Sequence, residues 1–250
     1  MKLIENLKTS WKTIMEQPKE ERFSYFWEYY KWPAIIAVVL VIATIQTTIS
    51  IVNRKETVFT GYVLNSTSTP KDEEFLQGFF DYAGLDSETQ EAAIYTDMYL
   101  HAGQNQKNAD VFQRIMAGIA INDADILVGQ EEAFHICAYN TSRMFMDLRK
   151  FLDADTLEKY ADRLFYIDGA ILQKLDAPVG ESVNTSSIIY PHPGKPKNME
   201  DPIPVGIAVG DREDLRSCYY YNPDTVVYLG VINNTQRPEL VKLYIEYIFS

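Results

Sequence analysis

The sequence predicts a membrane-anchored α/β protein, in which one N-terminal transmembrane helix precedes a domain with a mostly parallel sheet and flanking helices. Two observations predict this fold class. The first is a run of 20 residues, 33–52, that contains no charged side chain. The second is an alternation of strand-like and helix-like patterns from Thr57 to the C-terminus. We therefore divide the chain into a segment 1–32, a span 33–52 and a domain 56–250.

The uncharged run has the length that a membrane span needs. A helix rises about 1.5 Å per residue, so a run of this length covers the ~30 Å hydrocarbon layer of a bilayer. Its polar residues Thr44, Gln46, Thr47, Thr48 and Ser50 lie in the second half, where a hydroxyl can donate to a carbonyl of the same helix. The alternative is a buried core helix of a soluble protein, which needs only about 10 to 14 apolar residues.

The segment before the span is amphipathic and then rich in aromatic residues. Apolar residues recur at helical spacing from Leu3 to Met15, which predicts a short helix on the membrane surface. Pro18 ends that helix and can begin the next one. The aromatic residues that follow are Phe23, Tyr25, Phe26, Trp27, Tyr29, Tyr30 and Trp32. They predict an interfacial belt at the mouth of the span, and a protein–protein contact is the alternative.

The flanking charges favour a cytoplasmic N-terminus. Six basic residues precede the span, whereas Arg54 and Lys55 follow it directly. The apolar run begins too late for a cleaved secretory signal, so it is interpreted as an uncleaved signal anchor. The expected location is the cell membrane, with a single pass and the C-terminal domain outside the cytoplasm.

The domain after the span is strongly acidic. The formal net charge of the chain is −12. Residues 1–32 hold six Lys or Arg against five Glu and carry +1, and the span is uncharged, so residues 53–250 carry −13. Such a domain repels nucleic acid phosphates and anionic lipid headgroups. The expected partners are therefore the bilayer, through residues 33–52, together with a small molecule or membrane proteins, and not nucleic acid.

Hydrophobic periodicity and turn residues give the order of elements in the domain. Strands are predicted at 58–64, 92–100, 125–128, 205–209 and 225–232, and helices at 70–83, 108–119, 130–138 and 240–248. Asp168-Gly169 predicts a hairpin between two strands, and residues 176–204 predict a long loop. Strands separated by helices favour a mostly parallel sheet, because parallel neighbours need crossover connections.

No motif for catalysis, phosphate binding or metal binding is found. The histidines His101, His135 and His192 are scattered, and neither a nucleophile elbow nor a Walker loop is present. Cys137 and Cys218 could form one disulfide or remain two buried thiols. We expect no cofactor and no enzymatic activity.

Two stretches carry a resemblance to a known family. Residues 124–167 begin ADILVG, and residues 205–210 and 225–249 have the pattern of a closing strand, a short polar turn and a terminal helix. These patterns resemble type II extracellular solute-binding proteins. The resemblance implies a ligand between two lobes, held by loops at strand ends and by helix N-termini. The corresponding ligand-binding residues are Asn65, Ser66, Thr67, Ser68, Gly129, Gln130 and, as a stacking side chain, Tyr220.

The domain is small for a two-lobed solute binder, so a compact relative without the solute cleft remains an alternative. Our leading hypothesis is a non-catalytic extracytoplasmic binding protein that recognises a small solute or an envelope protein. The second hypothesis is a structural or assembly subunit of an envelope complex, such as a secretion or conjugation machine. The third is an extracytoplasmic hydrolase.

Overall fold

The computed structural model describes residues 15–16, 18–103, 105–139, 143–176, 188–221 and 224–250. It divides the chain into two compact units, of which the first ends at Arg54 and the second comprises Lys55–Ser250. The amphipathic helix predicted before Pro18 lies outside the described residues, apart from Met15 and Glu16.

The first unit contains one long helix, α1 (Arg22–Val52). Its segment Lys31–Ile49 is long and apolar enough to cross a membrane, and none of that segment is buried. The hydroxyls of Thr44, Thr47 and Thr48 each donate to the carbonyl four residues earlier, at 2.8 Å. These bonds confirm the prediction for the three threonines, whose hydroxyls are paired within the helix.

The second unit is an α/β fold around one six-stranded sheet. Its elements are β1 (Glu56–Leu64), β2 (Thr67–Ser68), α2 (Asp72–Ala83), β3 (Gln90–Met98), α3 (Asn105–Ala120), β4 (Ile126–Gln130), α4 (Glu131–Ala138), α5 (Leu148–Phe151), α6 (Ala154–Lys159), β5 (Leu164–Asp168), α7 (Gly169–Leu175), β6 (Pro202–Ala208), α8 (Glu213–Cys218), β7 (Tyr219–Tyr220), β8 (Val227–Val231) and α9 (Pro238–Ile248). Short 3-10 turns lie at Ala161–Arg163 and Pro196–Asn198.

The predicted α/β class is confirmed, but the prediction of a mostly parallel sheet is wrong. The strand order is β3-β1-β4-β8-β6-β5. The strands β3, β1 and β4 are parallel, whereas β8, β6 and β5 add antiparallel pairs, so the sheet is mixed. A helix between two strands predicts a crossover only if those strands become neighbours. Here β8, the last strand in the sequence, separates β4 from β6, and β5 lies at the far edge.

Hydrophobic helices cover both faces of this sheet. On one face, α2, α8 and α9 pack Phe79 and Tyr244 against strand residues such as Phe59. On the other face, α3, α4 and α7 pack around Phe134 and Ile115. The predicted apolar run at the third strand is buried throughout Ile126–Gly129, as expected of a strand covered on both faces.

The hairpin predicted at Asp168-Gly169 is wrong, because this dipeptide joins β5 to α7. Asp168 caps that helix by accepting from Ala170 N at 3.1 Å. Its two carboxylate oxygens also accept from the backbone N–H groups of Glu200 and Asp201, at 3.0 Å each. The antiparallel partner of β5 is β6, so the turn that the sequence places at Gly169 is replaced by a long connection. Residues 177–187 of that connection lie outside the described part of the chain.

The two cysteines are free and buried. Cys137 belongs to the cluster on one face of the sheet and Cys218 to the cluster on the other face. Of the two alternatives, the structure therefore shows two separate thiols.

Candidate functional site

Six of the seven predicted ligand-binding residues lie at one end of the sheet. Because β1 and β4 are parallel neighbours, with Val63 opposite Val128, the chain leaves both strands at the same edge. Asn65 to Ser68 follow β1, while Gly129 and Gln130 end β4. The carboxyl edge of parallel strands is a common place for ligands in open α/β sheets.

The Asn65 side chain forms its hydrogen bonds within the domain. Its amide nitrogen donates to Leu100 O at 2.9 Å, and its amide oxygen accepts from Leu100 N at 2.7 Å. Asn65 also has a positive φ of 53°, which Asn tolerates better than most residues. This residue therefore fastens the segment after β3 and leaves no side-chain oxygen aimed at solvent.

Thr67 and Ser68, which follow the buried Ser66, form a short ribbon with β7. Thr67 lies opposite Tyr220, and Ser68 lies opposite Tyr219, in an antiparallel pair. Ser66 is only 2% exposed, and its hydroxyl has no hydrogen-bond partner among the described residues. Tyr220, by contrast, is 74% exposed. The ribbon thus brings Tyr220 beside the loop after β1, and it presents Thr67 and Tyr220 on one face.

Two residues that the sequence analysis did not select complete this face. Thr67 Oγ1 donates to Asp97 Oδ1 at 3.0 Å and lies 3.0 Å from Tyr99 Oη. Tyr99 is 47% exposed, and Asp97 has a positive φ of 59°. In the part of the chain that the structure describes, Asp97 has no ion-pair partner. An exposed carboxylate without an ion-pair partner is suited to contact a cation.

The N-terminus of α4, which follows Gln130, does not suit an anion. Glu131 and Glu132 occupy its first turn, and Gln130 provides no side-chain cap. Glu131 N donates to Val226 O at 2.9 Å, and Glu132 Oε1 accepts from Ala102 N at 2.7 Å. Two carboxylates already use the favourable potential of this helix end, so a further negative charge would be repelled.

Gly129 belongs to the interior of the fold. A Cβ at this position would lie 3.4 Å from Leu64 Cβ and 3.7 Å from Phe134 N, which is ordinary van der Waals contact. The residue is buried between β1 and α4 and contacts no open space. The exposed members of the predicted set are therefore Thr67, Ser68 and Tyr220.

Three cavities among the described residues lie elsewhere, and none of these three is lined by a predicted ligand-binding residue. The first, of about 490 Å³, lies between α2, α8 and Tyr247 of α9. The second, of about 180 Å³, lies between α5, α7 and β6. The third, of about 300 Å³, lies between α3 and β3, beside the stacked rings of Tyr62 and Tyr95.

The cavity of about 490 Å³ contains a thiol that is poorly suited to nucleophilic chemistry. Cys218 Sγ lies 3.1 Å from Asp214 O, and burial raises the pKa of this thiol to about 11. The thiolate is the nucleophilic form of cysteine, so Cys218 is largely unreactive at neutral pH. No group of three or more His, Cys, Asp or Glu side chains within the described ranges is arranged to hold a metal ion.

A buried charged network lies at the opposite end of the sheet, before β4. Asp125 is fully buried and accepts from Thr60 N at 2.7 Å and from Arg237 Nε at 3.1 Å. Arg237 also contacts Asp123 Oδ1 at 3.1 Å and donates to Thr57 O at 2.9 Å. These groups satisfy one another and tie β1, β4 and the start of α9 together. The network is therefore structural.

Comparisons with known protein families, with curated proteins and with solved structures return no match.

Proposed function

We propose that this chain is a single-pass membrane protein whose acidic α/β domain acts outside the cytoplasm as a non-catalytic binding module. In this proposal the N-terminus is cytoplasmic, and the domain recognises a small solute or an envelope protein. The resemblance to type II extracellular solute-binding proteins belongs to the same proposal.

The observation that carries the proposal is the surface of α1. Its apolar segment is uncharged between Pro33 and Val52, and its large side chains, such as Ile36, Leu40 and Ile45, are exposed. An exposed apolar surface of this length is unfavourable in water and favourable in a bilayer. Aromatic residues stand just before it, and the Phe23 and Trp27 rings stack with centroids 6.2 Å apart. Such residues favour the boundary between lipid and water.

The described residues of the second unit form one compact body, so the support for solute binding comes from cavities within it and not from a cleft between two lobes. The cavity of about 180 Å³ combines an apolar wall with polar groups, which is the usual composition of a small-molecule site. The ribbon face with Tyr220 is instead an exposed surface, which suits contact with a protein.

Membrane fractionation of the full chain tests the anchor and its orientation. We expect the chain to remain in the membrane pellet after alkaline carbonate, and a C-terminal tag to be digested by protease added to whole cells. A matched variant with Val39→Arg and Val41→Arg should enter the carbonate supernatant, because each central arginine costs about 2.5–3.5 kcal/mol in a span. Release of the wild-type chain by carbonate, or protection of the tag until lysis, would refute the proposal.

The second candidate function is a structural or assembly subunit of an envelope complex. The observation in its favour is the sheet edge at β3, which pairs with β1 and with no other described strand. An unpaired edge can accept a strand from another chain. Recovery of the chain in a stable membrane complex, with no change in its melting temperature on adding solutes, would favour this function over solute binding.

A further inference from the structure

The cavity between α5, α7 and β6 combines a hydrocarbon wall with a basic rim. Its volume is about 180 Å³. Its wall is formed by Ala138, Phe145, Ile167, Leu172, Ile203 and Val205, and its rim by Arg143, Asp147, Lys150 and Asn233. The basic rim is notable because the domain as a whole is acidic.

Two of the three charged rim residues already have partners outside the cavity. Arg143 uses Nε and Nη2 to bind Asp176 Oδ2, at 2.9 and 2.7 Å. Asp147 forms an ion pair with Arg149 at 2.7 Å and also accepts from Arg149 N. The negative charge of Asp147 is therefore balanced by a neighbour and does not require the cavity's contents to be cationic.

Three donors of the rim remain uncommitted within the described part of the chain. Lys150 Nζ has no carboxylate within ion-pair distance there. The Nη1 group of Arg143 and the side-chain amide of Asn233 likewise have no hydrogen-bond partner among these residues. Lysine and arginine donors together prefer an anionic oxygen acceptor.

We propose that this cavity binds a small aliphatic monocarboxylate. The carboxylate lies at the Lys150 ammonium and the free edge of the Arg143 guanidinium, and the hydrocarbon tail packs against Leu172 and Val205. The cavity volume of about 180 Å³ lies below the ~300 Å³ at which sites for drug-sized ligands begin. The cavity therefore suits a small ligand, such as a short-chain carboxylate. The proposal rests on the binding role proposed above and names its ligand class.

The wall and the rim exclude other ligand classes of the same size. Inorganic phosphate satisfies the donors but leaves six apolar residues without a partner. An aliphatic amine satisfies the wall but places an ammonium beside Lys150, and like charges in close contact are unfavourable. An uncharged alcohol satisfies the wall but cannot replace the charge-assisted hydrogen bonds.

Calorimetric titration of the full chain in lipid nanodiscs with isovalerate tests the proposal. The comparison ligands are 3-methylbutanol, 3-methylbutylamine and inorganic phosphate, and empty nanodiscs give the blank for partition into lipid. The variant is Lys150→Gln, and the matched control is Lys197→Gln, which removes one exposed lysine of the same domain. Both variants change the net charge equally, so a difference between them reports the cavity alone.

We expect saturable binding of one isovalerate per chain, at least tenfold weaker or no binding of the other three compounds, and a tenfold to hundredfold loss of isovalerate affinity in Lys150→Gln. Lys197→Gln should bind as the wild type does. The absence of saturable isovalerate binding, equal binding of 3-methylbutanol, binding of phosphate alone, or equal affinities of the two variants would each overturn the proposal. Carbonate extraction does not depend on the ligand, so the anchor and this cavity can fail separately.

Discussion

Removing Arg237 should strongly destabilise the α/β unit, because it leaves a buried carboxylate without its counter-ion. Asp125 has no exposed surface, and Arg237 contacts its two oxygens at 3.1 and 3.0 Å. In Arg237→Met the side chain keeps much of its length but loses its charge and its five donors. Asp125 then retains only the hydrogen bonds from Thr60 N and the Thr235 hydroxyl.

The magnitude follows from the burial of the pair. Breaking a buried ion pair from one side typically costs about 3–5 kcal/mol. The unit Lys55–Ser250 contains 196 residues, counted from 55 to 250 inclusive. For a domain of this size, 1 kcal/mol moves the unfolding midpoint by about 2–4 °C, so Arg237→Met should lower it by roughly 6–20 °C.

The assay is thermal unfolding of the full chain in detergent, followed by near-ultraviolet circular dichroism. The matched control is Arg163→Met, since the ion pair of Arg163 with Asp211 is 34% and 53% exposed and should contribute at most about 1 kcal/mol. In an Asp125→Asn background, Arg237→Met should lower the unfolding midpoint much less than in the wild type, because no buried carboxylate is then left without its counter-ion. A midpoint within 2 °C of wild type for Arg237→Met, or equal costs in the two backgrounds, would refute this reasoning.

The remaining predictions concern packing, acid stability and thiol reactivity. Gly206→Ala should destabilise the domain by about 1–3 kcal/mol in urea unfolding, because its Cβ would lie 2.6 Å from Phe134 Cζ. Burial raises the pKa of Asp168, but three backbone N–H donors outweigh it and hold the pKa below 3.8. The ionised Asp168 therefore stabilises the fold above about pH 3.8, and this stabilisation is lost as the pH falls through the lower pKa of the folded state. We expect the unfolding midpoint of Asp168→Asn to differ less between pH 7 and pH 3 than that of the wild type does. Cys137 and Cys218 should resist a thiol reagent in the native chain and both react without prior reduction in denaturant, whereas a single disulfide would leave neither reactive.

The sequence predicted the elements of the domain better than their arrangement. Strand β4 begins with a buried apolar run, and β1 ends with one, and turn residues follow both strands, so their patterns are local and could be recognised. Which strands become neighbours depends on contacts between distant residues. Val128 pairs with Leu229, about 100 residues later, and no local pattern marks that pairing.

Asp168 shows why a strong local signal can mislead. Asp-Gly is a favoured hairpin turn, but an aspartate is equally a favoured helix cap. The choice is made by Glu200 and Asp201, whose backbone N–H groups bind its carboxylate from more than 30 residues away. The buried Asp168 carboxylate, which accepts hydrogen bonds from several backbone N–H groups, stabilises the junction between β5 and α7. Strand and helix propensities depend on local sequence and cannot predict such distant donors.

The candidate ribbon face illustrates the same limit for a site. The sequence pointed to Thr67 and Tyr220 because they lie at a strand end and in a tyrosine run. It did not point to Asp97 or Tyr99 at the end of β3, because only their contacts with the Thr67 hydroxyl in the fold distinguish them. The one available signal was that parallel strands end at a common edge, which applies to β3 as it does to β1 and β4.

One end of the sheet is held by a buried charged network, whereas the other end carries an exposed surface. At the end before β4, Asp125 and Arg237 cross-link β1, β4 and α9, so this end is fixed by groups that have no capacity left for a ligand. At the other end, the ribbon is only two residues long on each side, and its outer residues Thr67 and Tyr220 are exposed. A surface residue outside a buried network usually changes stability by less than about 0.5 kcal/mol, so the ribbon face is free to serve contact with a partner without weakening the fold.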